Sequence, residues 1–119
     1  MKPLFFVLLI AFNTASCAVD YNWRGAVKGR SDALRDLHRG ILAVEQCGEE
    51  APWNDTWIRL LREGFGIELR WVAGTRPSEE VHAHWLAYNA VMEPEIERRF
   101  GNVLERTWAE AERIGPKTY

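Results

Sequence analysis

The chain has 119 residues, 47% hydrophobic and 27% charged, the balance of a folded globular protein rather than a disordered or fibrous one. That length is expected to hold a single domain. A formal net charge of −2 at pH 7 leaves no basic excess to neutralise phosphates, so nucleic acid is not an expected partner.

The N-terminus has the three-part plan of a secretory leader: Met1-Lys2, an apolar run from Pro3 to Phe12, then small and polar residues from Asn13 to Ala18. The apolar run falls short of the ~20 residues that span a bilayer. The expected organisation is therefore a leader over 1–18 and one exported domain over 19–119, in the periplasm, at the cell envelope or outside the cell. Ala15-Ser16-Cys17 resembles the lipid-attachment box of bacterial lipoproteins, with Thr14 where that box carries Leu. Cys17 thus has three possible fates: removal with the leader, acylation, or a disulfide with Cys47. Lipid attachment or the leader itself is the expected route to a membrane.

Along the domain, Tyr21 to Gly29 reads as an irregular lead-in, because two glycines punctuate it. A first helix is expected from an N-cap at Ser31, with Leu34 and Leu37 on its core face and a stop at Gly40. Ile67 to Ala73 alternates Ile67, Leu69, Trp71 and Ala73 with Glu68 and Arg70, the period of a half-buried strand. A strand needs a partner, and Ile41 to Gln46 is the other short β-compatible run. A helix capped by Asn54 or Asp55, with Trp53 and Ile58 as a staple, is expected between them and stops at Gly64 or Gly66. Strand, helix and strand in this span make a βαβ unit with parallel strands.

The remainder, 77–114, is expected to be mostly helical. Ser78 caps a helix whose core stripe is Val81, Trp85, Tyr88 and Met92, and Pro94 is expected to kink it or to start a new helix. Asn102 and Glu105 form a capping box for a last helix carrying Leu104, Trp108 and Ala111 up to Gly115. The fold class is therefore a helix-rich α/β domain, a two-stranded parallel sheet packed by four or five helices.

In a βαβ unit the loops after both strands meet at one edge, where ligands of open α/β folds bind. That places Cys47, Glu49, Glu50, Trp53, Thr75, Arg76 and Glu79 together as a candidate binding site, and a lone Cys47 there could act as a nucleophile. No glycine-rich phosphate loop follows either strand. His82 and His84, two apart on a helix, point to opposite sides and are expected to face solvent, and Glu80 with His84 supplies too few ligands for zinc, so no metal and no cofactor is expected. Of the six tryptophans, Trp57, Trp71, Trp85 and Trp108 fall on core faces, leaving Trp23 and Trp53 free for a ligand. Asn54-Asp55-Thr56 matches a glycosylation acceptor, but capping explains the same residues. The expected role is a non-catalytic binding or protein-interaction module acting on a protein or small-molecule partner, or as a homodimer; the alternative is a small hydrolase or thiol enzyme.

Overall fold

In a computed structural model, residues 23–116 are described. The leader, Cys17 and the residues up to 22 lie outside them. Helix α1 covers 23–38, strand β1 Leu42–Cys47, helix α2 Asn54–Phe65, strand β2 Ile67–Ala73, helix α3 Glu79–Phe100 and helix α4 Val103–Ile114.

The two strands pair in parallel, Leu42 opposite Ile67 and Val44 opposite Leu69, with a bulge between Gln46 and Cys47. They form the expected βαβ unit with α2 as the crossover. Because side chains alternate across a sheet, the paired register gives the two faces different chemistry. Leu42, Val44, Ile67 and Leu69 face α2 and α4, where Trp57, Leu61, Val103 and Ala111 complete an apolar layer. Ala43, Glu45, Glu68 and Arg70 face the other way, toward α1 and α3.

The apolar layer includes two polar ties. Trp57 Nε1 donates to Thr107 Oγ1 at 2.9 Å and Thr56 Oγ1 donates to the Gly115 carbonyl at 3.0 Å, fixing the first turn of α2 to the middle and the C-terminal end of α4. Trp108 receives Trp57 and Trp53 edge-on, at 4.8 and 5.6 Å between centroids. On the other side of β1, Asn89 of α3 accepts from the Glu45 N–H and donates to the Glu45 carbonyl, each at 2.8 Å. Glu45 therefore turns its backbone away from β2, and one amide side chain satisfies the outer edge of β1 as a third strand would.

Several local expectations need correction. The first helix begins by residue 23, not at Ser31, because Gly25 and Gly29 are contact points and not breaks. A Cβ at Gly25 would fall on the carbonyl of Glu80, and one at Gly29 on that of His84. Gly25, Gly29 and Ala33, spaced by four, let α1 lie against α3 almost backbone to backbone. The buried face of α1 accordingly runs through Ala33 and Asp36, with Leu37 half-buried and Leu34 47% exposed.

Helix α2 has Trp53 at its N-cap with no side-chain cap, and Asn54 is its first residue, tied back to Ala51 by its N–H. Trp53 packs on Trp108 instead of standing free, and both Asn54 and Thr56 are buried, out of reach of a glycan in the folded chain. The helix stops at Gly66, whose φ of 67° is left-handed.

Helix α3 starts where Ser78 Oγ accepts from the Val81 N–H. It continues through Pro94 without a break. Tyr88, Asn89, Met92 and Ile96 are buried on both sides of the proline, while Pro94 and Ala90, whose carbonyl loses its donor, are on the exposed side, where that carbonyl is open to solvent. The capping box of α4 does not form: Asn102 holds the N-cap position, but its Oδ1 accepts from Arg106 Nε at 2.9 Å.

Candidate functional site

The two strand ends finish side by side, with Cys47 opposite Ala73. The Gly48 N–H reaches both the Ala73 and Gly74 carbonyls, at 3.2 and 3.0 Å, and Trp71 Nε1 donates to the Gly48 carbonyl. The loop backbones are thus tied to each other. Glu49, Glu50, Thr75, Arg76 and Glu79 surround this edge, all exposed, and among the described residues none of their side chains makes a hydrogen bond or an ion pair. Trp53 leaves the group for the α2–α4 layer. Cys47 is half-buried, and burial together with the Glu45 carboxylate pushes its thiol up, opposite to the shift that activates a nucleophile.

The densest constellation lies elsewhere, between α1, α3 and the polar face of the sheet. His84 Nδ1 is 2.8 Å from Glu45 Oε1, and His84 Nε2 is 2.8 Å from Asp32 Oδ2. One helical turn on, Tyr88 donates its hydroxyl to Asp36 Oδ2 at 2.6 Å. Arg70 of β2 donates to Asp36 at 3.0 Å, to the Tyr88 oxygen at 3.2 Å and to Glu68 at 2.9 Å. Lys28 and Arg35 approach Asp32 from the solvent side, at 3.2 and 2.6 Å.

The electrostatics follow from that arrangement. Burial works against a charged His84, but the hydrogen bonds to Asp32 and Glu45 outweigh it and hold the imidazole pKa above its ordinary 6.5. Burial likewise opposes ionisation of Asp32 and Asp36. The bonds to His84 and Lys28 in one case, and to Tyr88 and Arg70 in the other, bring both carboxyls below 3.8. Tyr88 is pushed up by burial and by Asp36, and stays a hydroxyl donor.

A carboxylate on each ring nitrogen favours the protonated His84, and in that form the ring offers no lone pair to a substrate or a metal. Its chemistry is that of a tie between α1, α3 and β1. Contrary to expectation, His84 does not face solvent; its side chain is 20% exposed, whereas His82 is exposed beside Trp85. Sequence reading missed this cluster, although a signal exists. Asp32 and Asp36 are four apart on α1, His84 and Tyr88 four apart on α3, and both hydrogen-bonded pairs span the same 52 residues, as parallel helices in one register require.

The opposite side of α1 is apolar. Trp23, Val27 and Leu34 share one stripe and are 51%, 57% and 47% exposed. Arg24, Lys28, Arg30 and Arg35, all exposed, flank it, and the Arg24 guanidinium lies 5.9 Å over the Trp23 ring. Separately, an open groove of about 460 Å³ lies between α2 and α4, lined by Leu60, Glu63, Phe65, Arg106 and Glu110. Among the described residues no three His, Cys, Asp or Glu side chains are placed to hold a metal ion, and no helix is long and apolar enough to cross a membrane.

Fold and cluster together define a small helix-rich α/β domain whose first helix is fastened by an ionic layer. Compared with known proteins, the chain matches no family model, no curated protein and no solved structure.

Proposed function

We propose that the chain is an exported, non-catalytic interaction module that works at or outside the cell envelope and docks through the outer face of α1. The observation that carries this reading is the stripe of Trp23, Val27 and Leu34, three large apolar side chains about half exposed on one helix face. Single exposed apolar residues are ordinary on protein surfaces, but an aligned set edged by cations is the composition of a contact surface. Export is supported by the leader-like 1–18, whose Cys17 would add a lipid anchor if acylated. A non-catalytic role is supported by the raised Cys47 thiol and by a histidine whose two nitrogens are both engaged.

Hydroxyl-radical footprinting tests the reading directly. Trp23 and Leu34 should be oxidised several-fold more slowly in intact expressing cells than in the purified full chain, with exposed His82 as the reference. Equal rates in the two settings would show that nothing covers α1, and the docking role would fail. Fast alkylation of Cys47 at neutral pH would count for the thiol-enzyme alternative instead.

A further inference from the structure

Building on that docking role for α1, we propose that what its outer face meets is an anionic phospholipid surface. A helix that lies in a membrane interface carries apolar residues, tryptophan among them, on one side and Lys or Arg at the border. Helix α1 has this arrangement on its solvent side: Trp23, Val27 and Leu34 between Arg30 on one flank and Arg24, Lys28 and Arg35 on the other, with exposed Arg39 just beyond the helix.

The sorting of charge sharpens the match. The two acidic residues of α1, Asp32 and Asp36, are both turned inward, to His84 and to Tyr88 with Arg70. The outward face therefore carries no exposed acid: Lys28 and Arg35 reach back to Asp32, while Arg24, Arg30 and Arg39 make no ion pair among the described residues, in a chain whose formal net charge is −2. That separation also argues against a second copy on the same face, since a two-fold contact would set this cationic border against itself. The chain outside the structure points the same way. Trp23 follows the apolar run Pro3–Phe12 by eleven positions, so the end of α1 that carries it is the part of the described domain nearest in sequence to any membrane the leader enters.

Co-sedimentation of the full chain with vesicles tests the proposal, one set of phosphatidylglycerol and phosphatidylcholine in equal parts, the other of phosphatidylcholine alone. Binding should favour the anionic set and weaken with salt. Val27→Ser with Leu34→Ser should lower partitioning roughly tenfold or more. Arg24→Glu with Arg30→Glu should lower it by roughly fivefold or more per charge on the anionic vesicles only. Circular-dichroism melts of both variants should match the parent, because all four side chains point outward. Equal partitioning of the parent and both variants would mean that the leader alone binds, and would overturn the proposal. Self-association of the parent that the Ser pair abolishes, without vesicle binding, would assign the stripe to a second copy and overturn it as well. Protection of Trp23 in cells without any vesicle binding would sink the lipid partner while leaving the docking role standing.

Discussion

Replacing Gly29 by Ala should destabilise the domain, against the usual sign for a helical glycine. In an open helix that change gains about 0.5–1 kcal/mol, because alanine loses less backbone freedom on folding. At Gly29 the added methyl would stand 3.0 Å from the His84 Cα and 3.1 Å from its carbonyl carbon, and closer still to its oxygen. Carbon atoms pack comfortably at ~3.5–4.0 Å, so α1 and α3 must separate by about 1 Å. Overpacking of that kind costs about 1–3 kcal/mol. The same displacement would stretch the 2.8 Å Asp32–His84 and 2.6 Å Asp36–Tyr88 bonds toward the limit of hydrogen bonding, and charge-assisted bonds contribute about 1.5–3 kcal/mol each. After the helix-propensity gain and partial relaxation, the net loss should be about 2–3 kcal/mol, a fall in Tm of about 10–20 °C for a domain of this size. Gly64 is the control: it lies within α2, and a Cβ there meets nothing within 4 Å, so Gly64→Ala should raise Tm by a few degrees, about 4 °C. Parallel thermal and urea melts followed by circular dichroism read both. A Gly29→Ala protein as stable as the parent would refute the close approach of α1 to α3.

The ionic layer should give stability a defined pH window. His84 has its folded pKa above 6.5, so its contribution is complete below pH 6.5 and fades as pH rises through the folded value; Asp32 and Asp36 lie below 3.8, so theirs is complete above pH 3.8 and fades as pH falls through the lowered values. Melts over a pH series should plateau between these limits, and His84→Gln should flatten the alkaline limb while keeping the Asp36 share of the acid one; an unchanged alkaline limb in that variant would refute the assignment. At the edge of β1, Asn89→Asp keeps an acceptor for the Glu45 N–H but loses the donor to the Glu45 carbonyl, at a cost of about 1–3 kcal/mol for the unsatisfied buried group. Asn89→Leu loses both bonds and should bring hydrogen exchange at the Glu45 amide close to loop rates, and slow exchange persisting there would contradict the edge-capping role of Asn89.

What the sequence makes legible here is what local chemistry decides. The period-two run Ile67 to Ala73, its need for a partner, the Ser78 cap and the stops at Gly40, at Gly66 as one of the two glycines offered for α2, and at Gly115 all stand in the structure, since each depends on a few neighbouring residues. The misses share a different cause. Gly25 and Gly29 look like breaks until α3 lies against them, and Pro94 looks like a boundary until burial of Met92 and Ile96 holds the helix on both sides. Asn54 looks like a cap, yet packing of Trp53 on Trp108 draws it one position into the helix. The ionic cluster joins residues from four elements, and its 52-residue repeat becomes meaningful only once two helices are known to run parallel. The strand-end group could be located from topology, but topology carries no information on whether exposed side chains such as Glu49 and Arg76 meet.

The same contrast explains why α1 misleads a pattern reader. A surface helix ordinarily turns its large apolar residues inward, and Leu34 and Leu37 invite that assignment. Here the order is inverted: glycine, alanine and aspartate face the protein, while Trp23, Val27 and Leu34 face out. The inversion is possible because the sheet offers α1 a polar face, with Glu45 and Arg70 supplying charges that Asp36 meets directly and that Asp32 meets through His84. Attachment of α1 therefore depends on close backbone contact and ionic bonds, whereas α2 and α4 are held by tryptophan and aliphatic burial. The two attachments respond to different conditions. Titration of His84, Asp32 or Asp36 weakens the hold on α1 while the apolar layer, which contains no group that must ionise, keeps the strands and the α2–α4 pair together. The helix that carries the exposed apolar stripe is thus also the element whose attachment depends most directly on protonation.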